Sequence, residues 1–219
     1  IRRCLVGSEM CIRDSVNRFN PDIDGKIIRD KYVLDDEPLA LFVGRLVPHK
    51  GIGILIRSLT YTQRGKLLII GDGPYKNWLV NLVKKLDLND RVIFVGPVDD
   101  YWLPSYYSAT DVVVLPSTSR LEAFGIVGLE GMATAKPLIL SDIPGVRDVI
   151  SEKEGYIVDP LDPSAIAEAL EKIWNAPEMA REMGLRGRER VEKLFSWEKV
   201  SKDIELSLIH ISEPTRHLL

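Results

Sequence analysis

The chain has 219 residues, 45% of them hydrophobic and 28% charged, enough for one well-cored domain and too few for two generous ones. A net charge of -3 and a pI near 5.7 give no global electrostatic reason to attract nucleic acid or an anionic membrane, so any phosphate site has to be local. No run nears the roughly 18 consecutive apolar residues that span a bilayer, and no basic segment followed by an apolar stretch opens the chain; the body is expected to be cytoplasmic and unsecreted.

In chain order, residues 1–15 and 207–219 stand apart from the rest. Ile1 occupies the first position in place of Met, which leads us to expect native sequence upstream. Most of both end segments resembles in-frame translations of sequencing-library adapters, so a non-native leader (1–15) and tail (207–219) are expected to flank a body of 16–206. Cys4 and Cys11 fall in the leader, and His210 and His217 in the tail. The body then holds no cysteine and His49 as its one histidine, which speaks against disulfides, a cysteine nucleophile and a metal site. Asp22-Ile23-Asp24 matches a carboxylate pair literally, but it precedes the first strong strand among polar residues and reads as chance, as Asp99-Asp100 reads as a loop or helix start.

From Pro38 onward, short apolar runs alternate with amphipathic segments. The runs at 39–43, 67–70, 92–95, 112–115, 138–140 and 156–158 are mostly apolar throughout, as strands are when helices cover both faces of a sheet. Between them Trp78, Leu79, Leu82, Val83 and Leu86 share a helical face, with Pro74 suited to the first turn after Gly73. Asp162-Pro163 opens a helix carrying Ile166, Leu170, Ile173 and Trp174, and two more helical patterns follow at 178–193 and 197–205. The alternation predicts an α/β fold with a doubly wound, Rossmann-like parallel sheet of about six strands.

Three turns at strand ends could carry chemistry. After the first strand, Gly44-Arg45 and Lys50-Gly51 place two cations near the opening of a helix, surroundings that suit a diphosphate; taken alone, the two read first as a solvated pair flanking a loop. After the second, Gly71-Asp72-Gly73-Pro74 is either a tight turn ahead of a helix or a backbone approach to ligand. It does not make a dinucleotide fingerprint, because Lys76 stands where the third glycine belongs. After the fourth, Glu122 to Glu130 holds two carboxylates eight positions apart around the bend Phe124-Gly125-Ile126, whose N–H groups at a helix start could meet phosphate or sugar oxygens. Paired carboxylates of this kind can grip a polyhydroxylated ligand.

Gly44-Arg45-Leu46, Lys50-Gly51 and the two-glutamate segment together resemble the donor-binding half of a family 4 type retaining glycosyltransferase of the two-domain GT-B fold, over about residues 16–205. The resemblance implies a nucleotide diphosphate-sugar as substrate with no cofactor and no metal. It gives Arg45 and Lys50 the diphosphate, Glu122 the hydroxyls of the transferred sugar and Glu130 the ribose. Gly71 and Gly73 would lie beside the nucleotide, Val95 and Gly96 near its base, and Gly125 and Ile126 at the donor with Phe124. Gly131, Thr134 and Ala135 depart from the family's usual alanine, cysteine or other small residue, and glycine. The N-terminal acceptor half is expected to be missing, and peripheral membrane contact through that half is left open. A non-catalytic nucleotide-sugar-binding module and a GT-B type sugar epimerase are the rival readings.

Overall fold

The computed structural model describes residues 18–32, 34, 36–119 and 125–194. Glu122 and Phe124, the expected helix at 197–205, the leader and the tail lie outside the described residues. Six strands, β1 Leu39–Val43, β2 Lys66–Ile70, β3 Val92–Gly96, β4 Val112–Leu115, β5 Leu138–Ser141 and β6 Gly155–Val158, form one sheet in the order β3-β2-β1-β4-β5-β6, every pairing parallel. They are the six runs read from sequence, four of them longer by one residue.

The strands read as unbroken apolar runs because both faces are covered. Side chains alternate across the sheet: Ala40, Phe42, Leu67, Ile69, Val112 and Val114 join one core cluster, while Leu39, Leu41, Leu68, Ile70, Val113 and Leu115 join the other. Helices α2 (Ile52–Ser58), α3 (Lys76–Lys85) and α6 (Pro163–Asn175) supply the first. Helices α1 (Lys26–Lys31), α4 (Leu103–Ala109), α5 (Ile126–Ala133) and α7 (Pro177–Leu194) supply the second. Each fully buried Leu or Ile contributes about 1.5–3 kcal/mol. The start of α6 is the one its sequence announces, with the Asp162 carboxylate accepting from Ser164 N at 2.8 Å and Pro163 in the first turn.

Helix α3 departs from its expected start. It opens at Lys76, leaving Pro74 in the turn before it, because Tyr75 N donates to Leu46 O at 3.0 Å and the 73–75 backbone is tied to the loop after β1. Trp78 is accordingly 43% exposed and stacks on Tyr75 with ring centroids 4.5 Å apart. Neither α1 nor α4 was anticipated; at six and seven residues they are too short to show a helical period.

At the amino edge of the sheet, cations bond to the chain itself. Arg29 donates to Ala109 O, Glu37 O and the Asp111 carboxylate, and the same Asp111 oxygen accepts from Leu39 N at 2.7 Å. Arg91 makes five bonds, to Gly65 O, Leu59 O, Thr62 O, Thr62 Oγ1 and Arg64 O, and burial pulls its guanidinium below its ordinary pKa. Lys136 donates to Ser108 O at 2.9 Å, and burial depresses its ammonium likewise.

Candidate functional site

The chain runs outward from β1 through β2 to β3, then returns past β1 to β4. Strand order therefore reverses between β1 and β4, and open α/β sheets take ligands in the crevice outside the carboxyl ends of their strands at such a point. The loops at that crevice follow Val43 and Leu115, which are the loops that carry Arg45, Lys50 and the two-glutamate segment.

The loop after β1 is fixed almost entirely through backbone. Gly44 N donates to Ile70 O at 3.0 Å, Leu46 N to Asp72 O at 2.9 Å, and Gly71 N to Gly96 O at 2.9 Å, so the turns after β1, β2 and β3 are stitched edge to edge. A Cβ on Gly71 would lie 2.0 Å from Gly44 O and one on Gly73 2.4 Å from Leu46 O. These two glycines admit neighbouring backbone, and that packing accounts for both of them; they belong to the foundation under Gly44–Leu46. Buried Leu46 anchors the loop from below.

Its far end is clamped to the loop after β4. Gly51 is left-handed (φ 68°), and a Cβ there would lie 1.8 Å from Pro116 O, while Thr118 N donates to His49 O at 2.8 Å. Only glycine allows both the conformation and the approach. The clamp brings the Lys50-Gly51 end of the loop against the chain that follows β4. Arg45 is exposed, and its guanidinium makes no hydrogen bond or ion pair with the described residues; Lys50 is half-buried.

Gly125, also left-handed (φ 53°), is the N-cap of α5 and has no side chain with which to cap it. Ile126, its first residue, is 40% exposed. Helix α5 lies hard against the sheet, since a Cβ on Gly131 would meet Leu138 Cδ2 at 2.8 Å and Val113 Cγ2 at 3.2 Å. Thr134 Oγ1 bonds back to Glu130 O and Gly131 O. Ala135 takes a left-handed φ of 53°, which explains why a glycine would be at home at this departing position.

Glu130 lies on the second turn of α5, largely buried, with Tyr107 Oη donating to its Oε2 at 2.6 Å. Burial pushes the carboxyl above the ordinary range; the Tyr107 bond and the Arg18 charge pull it down, and Asp100 pushes it up. Burial likewise drives the Tyr107 phenol well above its usual value. Arg18 bonds to Asp100 O and lies 5.1 Å over the Phe19 ring. Val95 and Gly96 end β3. Gly96 has a φ of 83° and open space where a side chain would stand, and Val95 lines a cavity of about 510 Å³ with Pro97, Val98 and Trp102.

Of the expected site residues described, Gly44, Arg45 and Lys50 lie on the loop after β1 and Gly125 and Ile126 on the chain after β4, the two strands that flank the switch point, whereas Gly71 and Gly73 pack under the first of these loops. Tyr107 was missed. One of two adjacent tyrosines in a segment too short to show a period gives no signal in sequence; its part is legible only when α4 meets α5.

A family model described as "Glycosyl transferases group 1" matches residues 24–190. The chain is 32% identical, over 83% of its length and 50% of the relative's, to a GDP-mannose-dependent alpha-(1-6)-phosphatidylinositol monomannoside mannosyltransferase of Mycolicibacterium smegmatis. Among solved structures, sucrose-phosphate synthase from Thermosynechococcus elongatus superposes with a TM-score of 0.80 at 35% identity, covering 90% of this chain and 50% of that one. Anabaena Alr3699/HepE in complex with UDP shares the fold with a TM-score of 0.83 at 22% identity, over 89% of this chain and 55% of that one. The chain spans about half the length, or less, of the curated relatives it matches.

Proposed function

The chain belongs to the glycosyl transferases group 1 family, and from that membership we propose that it is the donor-binding half of a retaining transferase, which passes a sugar from a nucleotide diphosphate-sugar to an acceptor hydroxyl. The observation that carries this reading is the pair of chain segments at the β1/β4 switch point: the exposed Arg45 guanidinium and the half-buried Lys50 on a backbone-fixed loop after β1, and after β4 the start of α5 at Gly125 with the largely buried Glu130 carboxyl. Its substrate is consistent with the name of the GDP-mannose-dependent relative and with the UDP held by HepE.

In this reading the bond from the anomeric carbon to the diphosphate breaks, leaving positive charge on the sugar and negative charge on the leaving phosphate. Arg45, Lys50 and the loop amides meet that anion, a preorganised electrostatic role that removes the need for a metal or cofactor. Glu130 accepts from the ribose hydroxyls and Glu122 from those of the sugar, both as ionised acceptors. Gly125 and Ile126, with Phe124, present backbone to the donor, and Val95 and Gly96 lie toward the base. Residues 16–206 form the donor domain, with 1–15 and 207–219 foreign to it. The acceptor sits on a second domain, and a cytoplasmic enzyme touching a membrane through that domain accords with the phosphatidylinositol-linked acceptor in the mannosyltransferase's name. Among the described residues no helix is long and apolar enough to cross a membrane.

Calorimetry with uridine and guanosine diphosphate tests the reading. One of them should bind, and Arg45→Ala should weaken it about tenfold, as loss of a charge-assisted hydrogen bond does. Absence of binding by either nucleotide to the folded chain would sink it.

A further inference from the structure

Tyr107 is fully buried, and a buried phenolic hydroxyl is costly unless it is bonded. The partner it has is Glu130 Oε2, at 2.6 Å, a distance typical of charge-assisted O–H to carboxylate bonds. Its ring is held independently, with Phe19 edge-on at 5.2 Å and the surrounding cluster formed by Leu41, Leu129 and Met132 among others. The hydroxyl is thus fixed by packing that does not depend on Glu130, and the carboxylate is fixed by the hydroxyl. A carboxylate has about four acceptor positions, so this bond leaves Oε1 and the second lone pair of Oε2 to a ligand.

We infer that Tyr107 is a positioning residue, whose bond to Oε2 orients the Glu130 carboxylate so that both its oxygens accept from the vicinal hydroxyls of a ligand ribose. The inference rests on the assignment of Glu130 to the ribose made above. A rigid acceptor loses less freedom on binding than a rotating one, which is the advantage of preorganisation. The charged or titratable groups around Glu130 among the described residues are Tyr107 from α4, Asp100 from the β3–α4 loop and Arg18 from the segment ahead of α1. Tyr107 and Arg18 both favour the ionised acceptor, against burial and Asp100.

The test compares the parent chain, Tyr107→Phe and Glu130→Gln for binding of uridine or guanosine diphosphate, whichever the parent binds, and of its 2′,3′-dideoxy form, across an acidic to neutral pH series. In the parent, the preference for the ribose form should weaken as Glu130 protonates. Tyr107→Phe should cut that preference about tenfold and move its acid limb to higher pH, because an influence that lowers the Glu130 pKa is gone. Glu130→Gln should remove the limb. If Glu130→Gln abolishes the preference while Tyr107→Phe leaves its size and its acid limb unchanged, the positioning role is overturned and the ribose assignment stands. If Glu130→Gln keeps the preference, the ribose assignment fails and the inference falls with it. Should Tyr107→Phe not fold, 3-fluorotyrosine at position 107 keeps the ring and makes the hydroxyl a stronger donor; the acid limb must then move to lower pH, and an unmoved limb overturns the inference.

Discussion

The amino edge of the sheet and the loop after β1 at its carboxyl edge use cations in opposite ways. At the amino edge, Arg29, Arg91 and Lys136 end on carbonyls and on Asp111 of the chain itself, closing the starts of β1, β4 and the segment before β3. In the loop after β1 the fixing is done by backbone and glycines, through Gly44 N to Ile70 O and Leu46 N to Asp72 O, and the Arg45 side chain is left exposed. A charge enclosed by its own chain stabilises the fold; one mounted on a loop already fixed by other bonds remains available to a ligand. The same residue type therefore stands in two surroundings, enclosed by carbonyls in Arg91 and exposed on a loop in Arg45.

The largest effect that would sharpen this contrast comes from the carboxyl-edge glycines. Gly71→Ala puts a methyl 2.0 Å from Gly44 O at a φ of 125°, and the backbone must move. A loss of about 3–5 kcal/mol in denaturant unfolding is expected, with nucleotide affinity lost as well, since the Arg45 loop rests on this turn. Next comes the amino edge. Arg91→Ala strands several carbonyls and should cost about 3 kcal/mol while the folded fraction binds nucleotide as before.

Glu130→Gln gives a smaller effect with a definite sign. The folded-state pKa of Glu130 is raised by burial, so its ionised form opposes folding, by an amount absent below the ordinary carboxyl range and growing as pH rises through the raised value. The variant should melt above the parent at neutral pH, and the gap should close as pH falls toward the ordinary carboxyl pKa. A gap that widens in acid would contradict the burial argument. The smallest effect is at Ala135, where a left-handed φ of 53° disfavours any side chain. Ala135→Gly should stabilise by about 0.5–1 kcal/mol, relief of that strain being partly offset by the freer unfolded chain; thermal unfolding would detect it.

The contrast also explains what was legible in sequence. All six strands could be read, since a strand buried on both faces is an apolar run whatever surrounds it. Arg45 and Lys50 were singled out as candidates by their place after a strand. For Gly71 and Gly73 the sequence left two readings, because a glycine that admits ligand and one that admits neighbouring backbone are identical until the neighbour is known. Tyr107 was hidden for a related reason: its contact to Glu130 joins residues 23 positions apart, and no local pattern reports it. Arg29 and Arg91 were missed as fasteners on the same ground, most of their acceptors being carbonyls, which every residue has.

The claim that the edges divide these roles is tested most directly by one calorimetric and unfolding comparison of Arg45→Ala with Arg91→Ala. The account predicts a clean crossing. Arg45→Ala should bind nucleoside diphosphate about tenfold more weakly with stability within about 0.5 kcal/mol of the parent, and Arg91→Ala should lose stability with affinity unchanged. If Arg45→Ala keeps the affinity of the parent, or destabilises the fold as much as Arg91→Ala does, the division between the edges is wrong.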